Sequence, residues 1–534
     1  MTRSKTPWRY WILAVMLVVM PAGAAAAGGV SSTVNGTMEN LPHEPEPMVP
    51  IPKTGPLRLT LAGAVIMALE NNRALLVEKL DPRIRETYID EERAVFDPLA
   101  QGGLTVGRTD RLGPDDDGRR EITEKDTDAV VSLSRLFPAG TTVALEAGAT
   151  LSDTNLYHDP FAETAVGLSV TQALLRDFGT AVNTVRLRQA HLDTQISQHE
   201  LQGFGEALVA RVEAAYYNLA LARRQVDIVK ESLRVAEQQL TETEQMIVVG
   251  TLAEAELPAV QAEVALQRQA LIAAEGERET LRLELLRLLN PPGGTFWDRE
   301  VTLIHPPEVP EVQLAPVADH VAVALRMRPE LRQAYLEIER RQLTVVQTQN
   351  GLLPRLDLFI SLGKTGFADS FSRSIESIDD DHYTMQAGLQ FAYPPANRAA
   401  QARHRRARLQ ERQAEEALAN LRQLVEMDVR RAHIDVHRAH RQIAASTATR
   451  QFQEEKARIE VEKFRVGRST NFLVAQAQRD LLSSRITEVE AVVDYLNALT
   501  DLFRLDGSLL ARRGLTVARE EPSPGALSAT RGPG

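Results

Sequence analysis

Ala68-Leu69-Glu70-Asn71-Asn72-Arg73-Ala74-Leu75 returns, at an offset of 256 residues, as Ala324-Leu325-Arg326-Met327-Arg328-Pro329-Glu330-Leu331. The correspondence continues along the chain. Pro98-Leu99 faces Pro354-Arg355 at the same offset, Gly167-Leu168 faces Gly388-Leu389 at 221, and Val249-Gly250 faces Val466-Gly467 at 217. Copies of roughly 200 residues are far longer than a solenoid repeat, so the chain reads as a duplicated half-molecule. The drop from 256 to 221 leaves 35 extra residues between Pro98 and Gly167 in the first copy, about one added β-hairpin.

Each half reads as helix, strands, very long helix, tight turn and returning helix. In the first long helix Leu208, Val212, Ala215, Leu219, Ala222, Val226, Val229, Leu233, Ala236 and Leu240 alternate steps of four and three, a coiled-coil seam. The second seam opens with Val425, Val429, Ala432, Val436, Ala439 and Ile443, then turns polar around 446–450. Each long helix ends at a glycine, Gly250 or Gly467. The spacing predicts long helices over 179–249 and 397–466, flanked by shorter ones over 61–97, 253–289, 317–352 and 470–510. The breaks between the shorter helices fall at one height, around the waist of a long cylinder.

The strands alternate. Val166, Leu168 and Val170 oppose Gly167, Ser169 and Thr171; Leu356, Leu358, Ile360 and Leu362 oppose Asp357, Phe359, Ser361 and Gly363. Met385, Leu389 and Phe391 likewise oppose Gln386, Gly388 and Gln390. Segments of about ten residues with one apolar and one small or polar face are the signature of a transmembrane β-barrel. The tips Asp115-Asp116-Asp117 and Asp379-Asp380-Asp381 are acidic. Four strands per chain, or six with the added hairpin, fall short of the about eight that close a barrel, and open edges are not tolerated in lipid. Chains must then share one barrel; three give twelve or eighteen strands. Residues 129–137 and 141–150, joined by Pro138-Ala139-Gly140, form either a membrane hairpin or one folded against the barrel's rim.

Composition narrows the function. The 534-residue chain has 5% aromatics, no cysteine and a formal net charge of −11. Cysteine nucleophiles, thiolate metal sites and lipid attachment at an N-terminal cysteine are excluded, and an acidic chain argues against nucleic acid as a partner. Arg3, Lys5 and Arg9, the apolar stretch 12–20 and Ala25-Ala26-Ala27 read as a cleavable signal peptide over 1–27. An extended segment follows over 28–56, then the first repeat over 57–290 with strands within about 102–173. A Pro/Gly-rich linker over 291–316 leads to the second repeat over 317–513, with strands at about 355–364 and 383–393, and a disordered tail over 514–534. His433, His437 and His440 share a helix face, but Arg430, Arg431, Arg438 and Arg441 would repel a metal cation. The basic run 403–408 follows a strand directly and reads as a collar near lipid headgroups. No nucleophile-base pair is recognisable, so neither catalysis nor a cofactor is expected.

Leu59-Thr60-Leu61-Ala62 leading to Ala68-Leu69-Glu70-Asn71-Asn72 resembles the opening of a TolC-like outer-membrane efflux protein, an outer membrane factor. So do Leu352-Leu353-Pro354, Thr171-Gln172-Ala173-Leu174-Leu175-Arg176-Asp177-Phe178-Gly179, Ala215-Tyr216-Tyr217, and the Val-Gly-Thr and Val-Gly-Arg turns. The similarity covers residues 57 to about 513. It implies a homotrimer whose strands form one outer-membrane barrel and whose helices form a periplasmic coiled-coil tunnel. The tunnel docks onto an inner-membrane transporter through a periplasmic adaptor protein, making the chain the exit duct of a tripartite efflux pump. The same duct in a type I protein-secretion system, or a coiled-coil scaffold without a pore, are the alternatives.

By the resemblance, the adaptor meets the tips: Gly250, Thr251 and Leu252, and Gly467, Arg468, Ser469 and Thr470, each with a hydroxyl expected to be exposed beside the turn. Val166, Leu168, Val170, Leu356, Leu358, Ile360, Met385, Leu389 and Phe391 are expected to face lipid. Ducts of this family often narrow at an acidic level after the second tip. Here Leu473 and Gln476 stand at that level, and Glu254 and Glu256 near the first tip offer the alternative carboxylates.

Overall fold

The computed structural model describes residues 55–115, 118–155, 160–293, 295–310, 313–379 and 383–515. The signal-peptide and tail assignments, most of the extended segment and most of both acidic tips lie outside the described residues.

The order of elements is that of a duplicated half. β1 (Leu57–Leu59), α1 (Leu61–Asn71), α2 (Arg73–Glu78) and α3 (Asp81–Ala94) lead into β2 (Leu99–Asp115), β3 (Gly118–Phe137), β4 (Thr141–Thr154) and β5 (Phe161–Ala173). After the single turn α4 (Thr180–Asn183), α5 (Val185–Val248) runs to the first tip and α6 (Leu257–Leu289) returns. The second half has β6 (Val301–Leu303), α7 (Val317–Met327), α8 (Pro329–Asn350), β7 (Arg355–Ala368), the short α9 (Phe371–Glu376) and β8 (Tyr383–Ala392). It ends with α10 (Arg398–Arg465), α11 (Asn471–Leu505) and α12 (Leu509–Arg512). At 64 and 68 residues, α5 and α10 extend about 95–100 Å.

The leading helices are not continuous, contrary to the expectation over 61–97 and 317–352. The first breaks at Asn72, which leaves the helical region (ψ 121°). Its Oδ1 accepts from Leu75 N at 3.0 Å and its Nδ2 donates to Leu288 O at 2.8 Å. The second breaks at the equivalent Arg328 (ψ 124°), which precedes Pro329 and is pushed out of the α region by it. One break is made by a capping side chain and the other by a proline ring. A further break falls at Leu80, ahead of Pro82 in the first turn of α3.

The core sits at the waist. β1 and β6 pair in parallel, Leu57 opposite Val301 and Leu59 opposite Leu303, and tie the start of the first repeat to the linker. Against them pack Met67, Leu208, Leu219, Leu285, Leu289, Leu502 and Leu509, all essentially buried. From this core the α5 seam runs on toward the tip, buried from Leu208 to Val229 and at Ala236, half-buried at Leu233 and Leu240. The α10 seam is buried through Ala439, then gives way to ion pairs: Arg450–Glu488 at 2.6 Å, Lys456–Asp480 at 2.7 Å and Arg485–Glu454 at 3.2 Å.

Glu206 is a buried carboxyl on α5 near the waist. Burial, reinforced by Glu330, pushes it up to about 7. Since the folded pKa exceeds the unfolded one, the fold holds the extra proton between about 4.5 and 7. Stability is therefore lost as pH rises through that window, by about 3 kcal/mol once the group is fully ionised. Glu206→Gln should change the urea midpoint little at pH 5 and raise it at pH 8. An equal shift at both would show that Glu206 does not carry the penalty.

Candidate functional site: a two-faced sheet and two helical tips

All six long strands lie in one antiparallel sheet, in the order β2-β3-β4-β5-β7-β8. The 35-residue surplus is β3 and β4, inserted between β2, the counterpart of β7, and β5, the counterpart of β8. The hairpin continues the ladder instead of folding back against it. Every strand of β3–β5 is paired on both sides, whereas β2 and β8 each leave one edge open.

Residues directly opposite one another share a face of a sheet, so the register sorts every side chain. Val166, Leu168 and Val170 face Lys364, Leu362 and Ile360 on β7. Leu356, Leu358 and Leu362 face Phe391, Leu389 and Met385 on β8. The same surface continues through Val143, Leu145 and Ala147 of β4 to Val131 and Leu133 of β3, and through Ala129 to Leu104 of β2. All nine strand positions singled out from the sequence are on it. It is uncovered: Leu104 is 71% exposed and Leu389 65%. The other face carries Gly103, Ser132, Ser169, Ser361, Gln386 and Gln390 and is small and polar.

The apolar band has edges. On β8, Tyr383 and Phe391 stand eight residues apart, about 27 Å along the strand. Toward the helices Phe137 and Tyr393 join the lower aromatic level; at the other end α9 packs over β5 and β7, with Phe371 and Ile375 exposed. Beyond the band, β2 and β3 run on with charged side chains on the same face: Arg108 with Asp110 at 3.1 Å and Lys125 with Asp153 at 3.8 Å. A continuous apolar surface of this size, bounded by aromatics, is not that of a soluble monomer. Among the described residues no helix is long and apolar enough to cross a membrane.

The tips lie at the far end of the long helices. Gly250 (φ 79°) and Gly467 (φ 70°) take the left-handed conformation that ends α5 and α10. The tip hydroxyls are not free. Thr251 Oγ1 donates to Met246 O at 2.9 Å, and Ser469 Oγ donates to Glu460. Thr470 caps α11 by accepting from Leu473 N. Apolar side chains are exposed at both tips: Val248 (86% exposed) and Val249 beside Gly250, and Val466, Phe472 and Leu473 around the second turn. The sequence reading puts its weight on the glycines and hydroxyls, although a valine stands directly before each glycine, Val249 before Gly250 and Val466 before Gly467. Leu252 is half-buried, and Arg468 is exposed.

At the same end, Gln476 and Glu254 are exposed, whereas Glu256 is half-buried and accepts from Asn471 Nδ2 at 3.3 Å. Arg479 reaches Glu263 at 2.6 Å, so polar contacts join the two returning helices. The histidine face divides. His433 and His437 meet edge-to-face with centroids 4.6 Å apart, while His440 turns to Tyr495. His320, bonded to Asp506 at 2.8 Å, is the third ring near His433. Among the described residues no group of three or more His, Cys, Asp or Glu is placed to hold a metal.

The outer membrane efflux protein family model matches residues 65–291 and 321–508, both halves and well over half of the chain. The chain shares its fold with solved channels at low identity. The outer-membrane channel OprN superposes with a TM-score of 0.64 at 18% identity over 84% of this chain and 89% of that one. CusC gives 0.64 at 15% over 87% and 99%. The CmeC outer membrane channel of Campylobacter jejuni gives 0.62 at 15% over 84% and 86%. Among curated proteins, no sequence match is found. A family model matched across both halves, on a fold shared with solved outer-membrane channels, makes this chain a member of the outer membrane efflux protein family, the TolC-like channels.

Proposed function

We propose that three copies of the chain close one outer-membrane barrel with their sheets and continue it as a periplasmic helical tunnel. The assembly is a passive exit duct for small molecules. An inner-membrane transporter, reached through a periplasmic adaptor, supplies the energy. The observation that carries this reading is the exposed apolar face on a sheet with two open edges. Lipid covers the face, and neighbouring copies cover the edges. β2 runs away from the helices and β8 toward them, so joining β8 of one copy to β2 of the next is antiparallel, like every other pair in the sheet. Heat-modifiable trimers in outer-membrane fractions that form conducting pores in planar bilayers are the expected result. A soluble periplasmic protein would reject the duct.

The exposed valines at the tips are the surface offered to the adaptor. Each fully buried Val contributes about 1.5–3 kcal/mol. Val249→Asp and Val466→Asp should therefore each weaken adaptor binding at least about tenfold and raise accumulation of a fluorescent efflux dye in cells. Trimer level and membrane insertion should be unchanged. Loss of the trimer itself would give these positions a structural role instead.

At the tunnel's closed end, Leu473 and Gln476 form an uncharged constriction, and cation preference comes from the carboxylates near the first tip. Glu256 is engaged with Asn471, so Glu254 is the stronger contributor. Glu254→Gln should reduce cation selectivity in single-channel recordings more than Glu256→Gln does. Gln476→Ala should raise conductance with selectivity unchanged. Selectivity surviving removal of both glutamates would dismiss the acidic ring.

A further inference from the structure

We propose that the inserted hairpin β3–β4 is barrel wall, so that three chains close an eighteen-stranded barrel too wide to be the duct's size filter. The inference rests on the three-chain duct proposed above and adds the width of its outer end. A chain with only the duplicated strands β2, β5, β7 and β8 would close at twelve. Barrel diameter grows nearly linearly with strand number, so the insertion widens the outer end about one and a half times.

Three observations make the hairpin wall and not appendage. Its pairing is complete, with β3 matched to β2 from Leu99↔Ser134 to Asp115↔Gly118 and β4 matched to β5 from Thr141↔Gln172 to Ser152↔Phe161. Its two faces continue those of the sheet without a slip: Leu133 and Leu145 fall on the apolar side, Ser132 and Glu146 on the polar side. Its inner turn is built into the junction between sheet and helices. Gly179 N donates to Ala139 O at 3.1 Å, Asn183 Nδ2 donates to Pro138 O at 3.0 Å, and Arg135 Nε donates to Phe96 O at 2.9 Å. Gly140 sits at φ 84°, where a Cβ would lie 2.3 Å from Asp177 O, so the turn meets its neighbour closely enough to require glycine.

The hairpin enters and leaves the sheet at the same end and adds no helix. The tunnel therefore keeps its own width while the barrel above it widens. Size selection lies in the helical part, and any solute that clears the tunnel meets no narrower section at the strands.

The absence of cysteine allows single-cysteine reporters in the otherwise wild-type assembly. In outer-membrane vesicles, Glu146→Cys should react with a charged water-soluble thiosulfonate. Leu145→Cys should be protected from it, and a fluorophore there should be quenched from the lipid phase. Polymer-exclusion measurements on single channels form the second arm. Poly(ethylene glycol) added at the barrel end should enter up to a radius about one and a half times that for a variant lacking 118–154. Aqueous labelling of both cysteines, or an equal cutoff in the two proteins, would place the hairpin outside the wall and overturn the inference while leaving the duct standing. If the deletion variant does not insert, the cysteine pair alone decides. A count of two chains per pore would instead overturn the three-chain reading, and no pore at all would overturn the duct.

Discussion

Glu213→Leu should cost about 1.5–3 kcal/mol of stability, the range for losing hydrogen bonds to a charged group. Glu213 lies on α5, wholly buried. Its Oε1 accepts from Arg513 Nε at 2.7 Å; its Oε2 accepts from Arg513 Nη2 at 2.8 Å and from Thr500 Oγ1 at 2.8 Å. The pair closes the second repeat onto the first across 300 residues of sequence. Removing the carboxylate leaves the buried Thr500 hydroxyl without this acceptor, whereas the Arg513 side chain, one-third exposed, turns to solvent. The bidentate geometry means that lysine at 513 does not restore the contact. Glu213→Leu combined with Arg513→Met should recover most of the loss, because a pair of apolar residues needs no charge compensation. Urea midpoints of the four proteins form the cycle. A loss under about 1 kcal/mol in the single variant would mean that the pair is solvated and does not hold the repeats together.

The sequence discloses this fold through periodicity and fails where one side chain decides. The α5 seam is readable because ten positions keep a strict four-three rhythm, and eight of them are buried as that rhythm requires. The break at Asn72 is not readable in that way. Asn72 sits in the polar run Glu70-Asn71-Asn72-Arg73 within a longer helical pattern, and its bonds to Leu75 and Leu288 reveal a cap. Its counterpart Arg328 precedes a proline, a local signal that was present and outweighed by the length of the pattern. In the strands, alternation assigns faces within each segment, but register between segments is a long-range property. The place of β3–β4 in the ladder therefore stays open until the pairing is seen. At the tips, Thr251 and Ser469 invited a reading as exposed contacts, yet a hydroxyl beside a helix end finds backbone or carboxylate partners first. The valines next to them have no polar atom to turn inward, and they stay exposed at the tips.

Leu389→Arg and Leu358→Arg should each remove most of the protein from the outer-membrane fraction, whereas Gln390→Arg and Ser361→Arg should leave it there. Leu358 and Leu389 are directly opposite on β7 and β8 and share the apolar face. Gln390 pairs with Asp357 and Ser361 with Gln386, on the polar face. The four positions lie within a few residues of one another, so they test facing with depth held nearly constant. An arginine toward lipid costs about 2–4 kcal/mol per copy at mid-membrane and less toward an interface. Leu358 and Leu389 stand one step inside the Phe391 level, and a three-chain barrel carries the cost three times. The resulting penalty, at most roughly 6–12 kcal/mol for the assembly, reaches into the range of the whole stability of an ordinary domain. The same arginine toward a water-filled lumen keeps its hydration and meets no such term. The readout is the amount of heat-modifiable trimer in the membrane, with total protein measured alongside to separate failed insertion from failed synthesis. Equal loss at all four positions would mean that both faces are buried against protein, and equal tolerance that neither meets lipid; either result would remove the barrel from the reading of this chain.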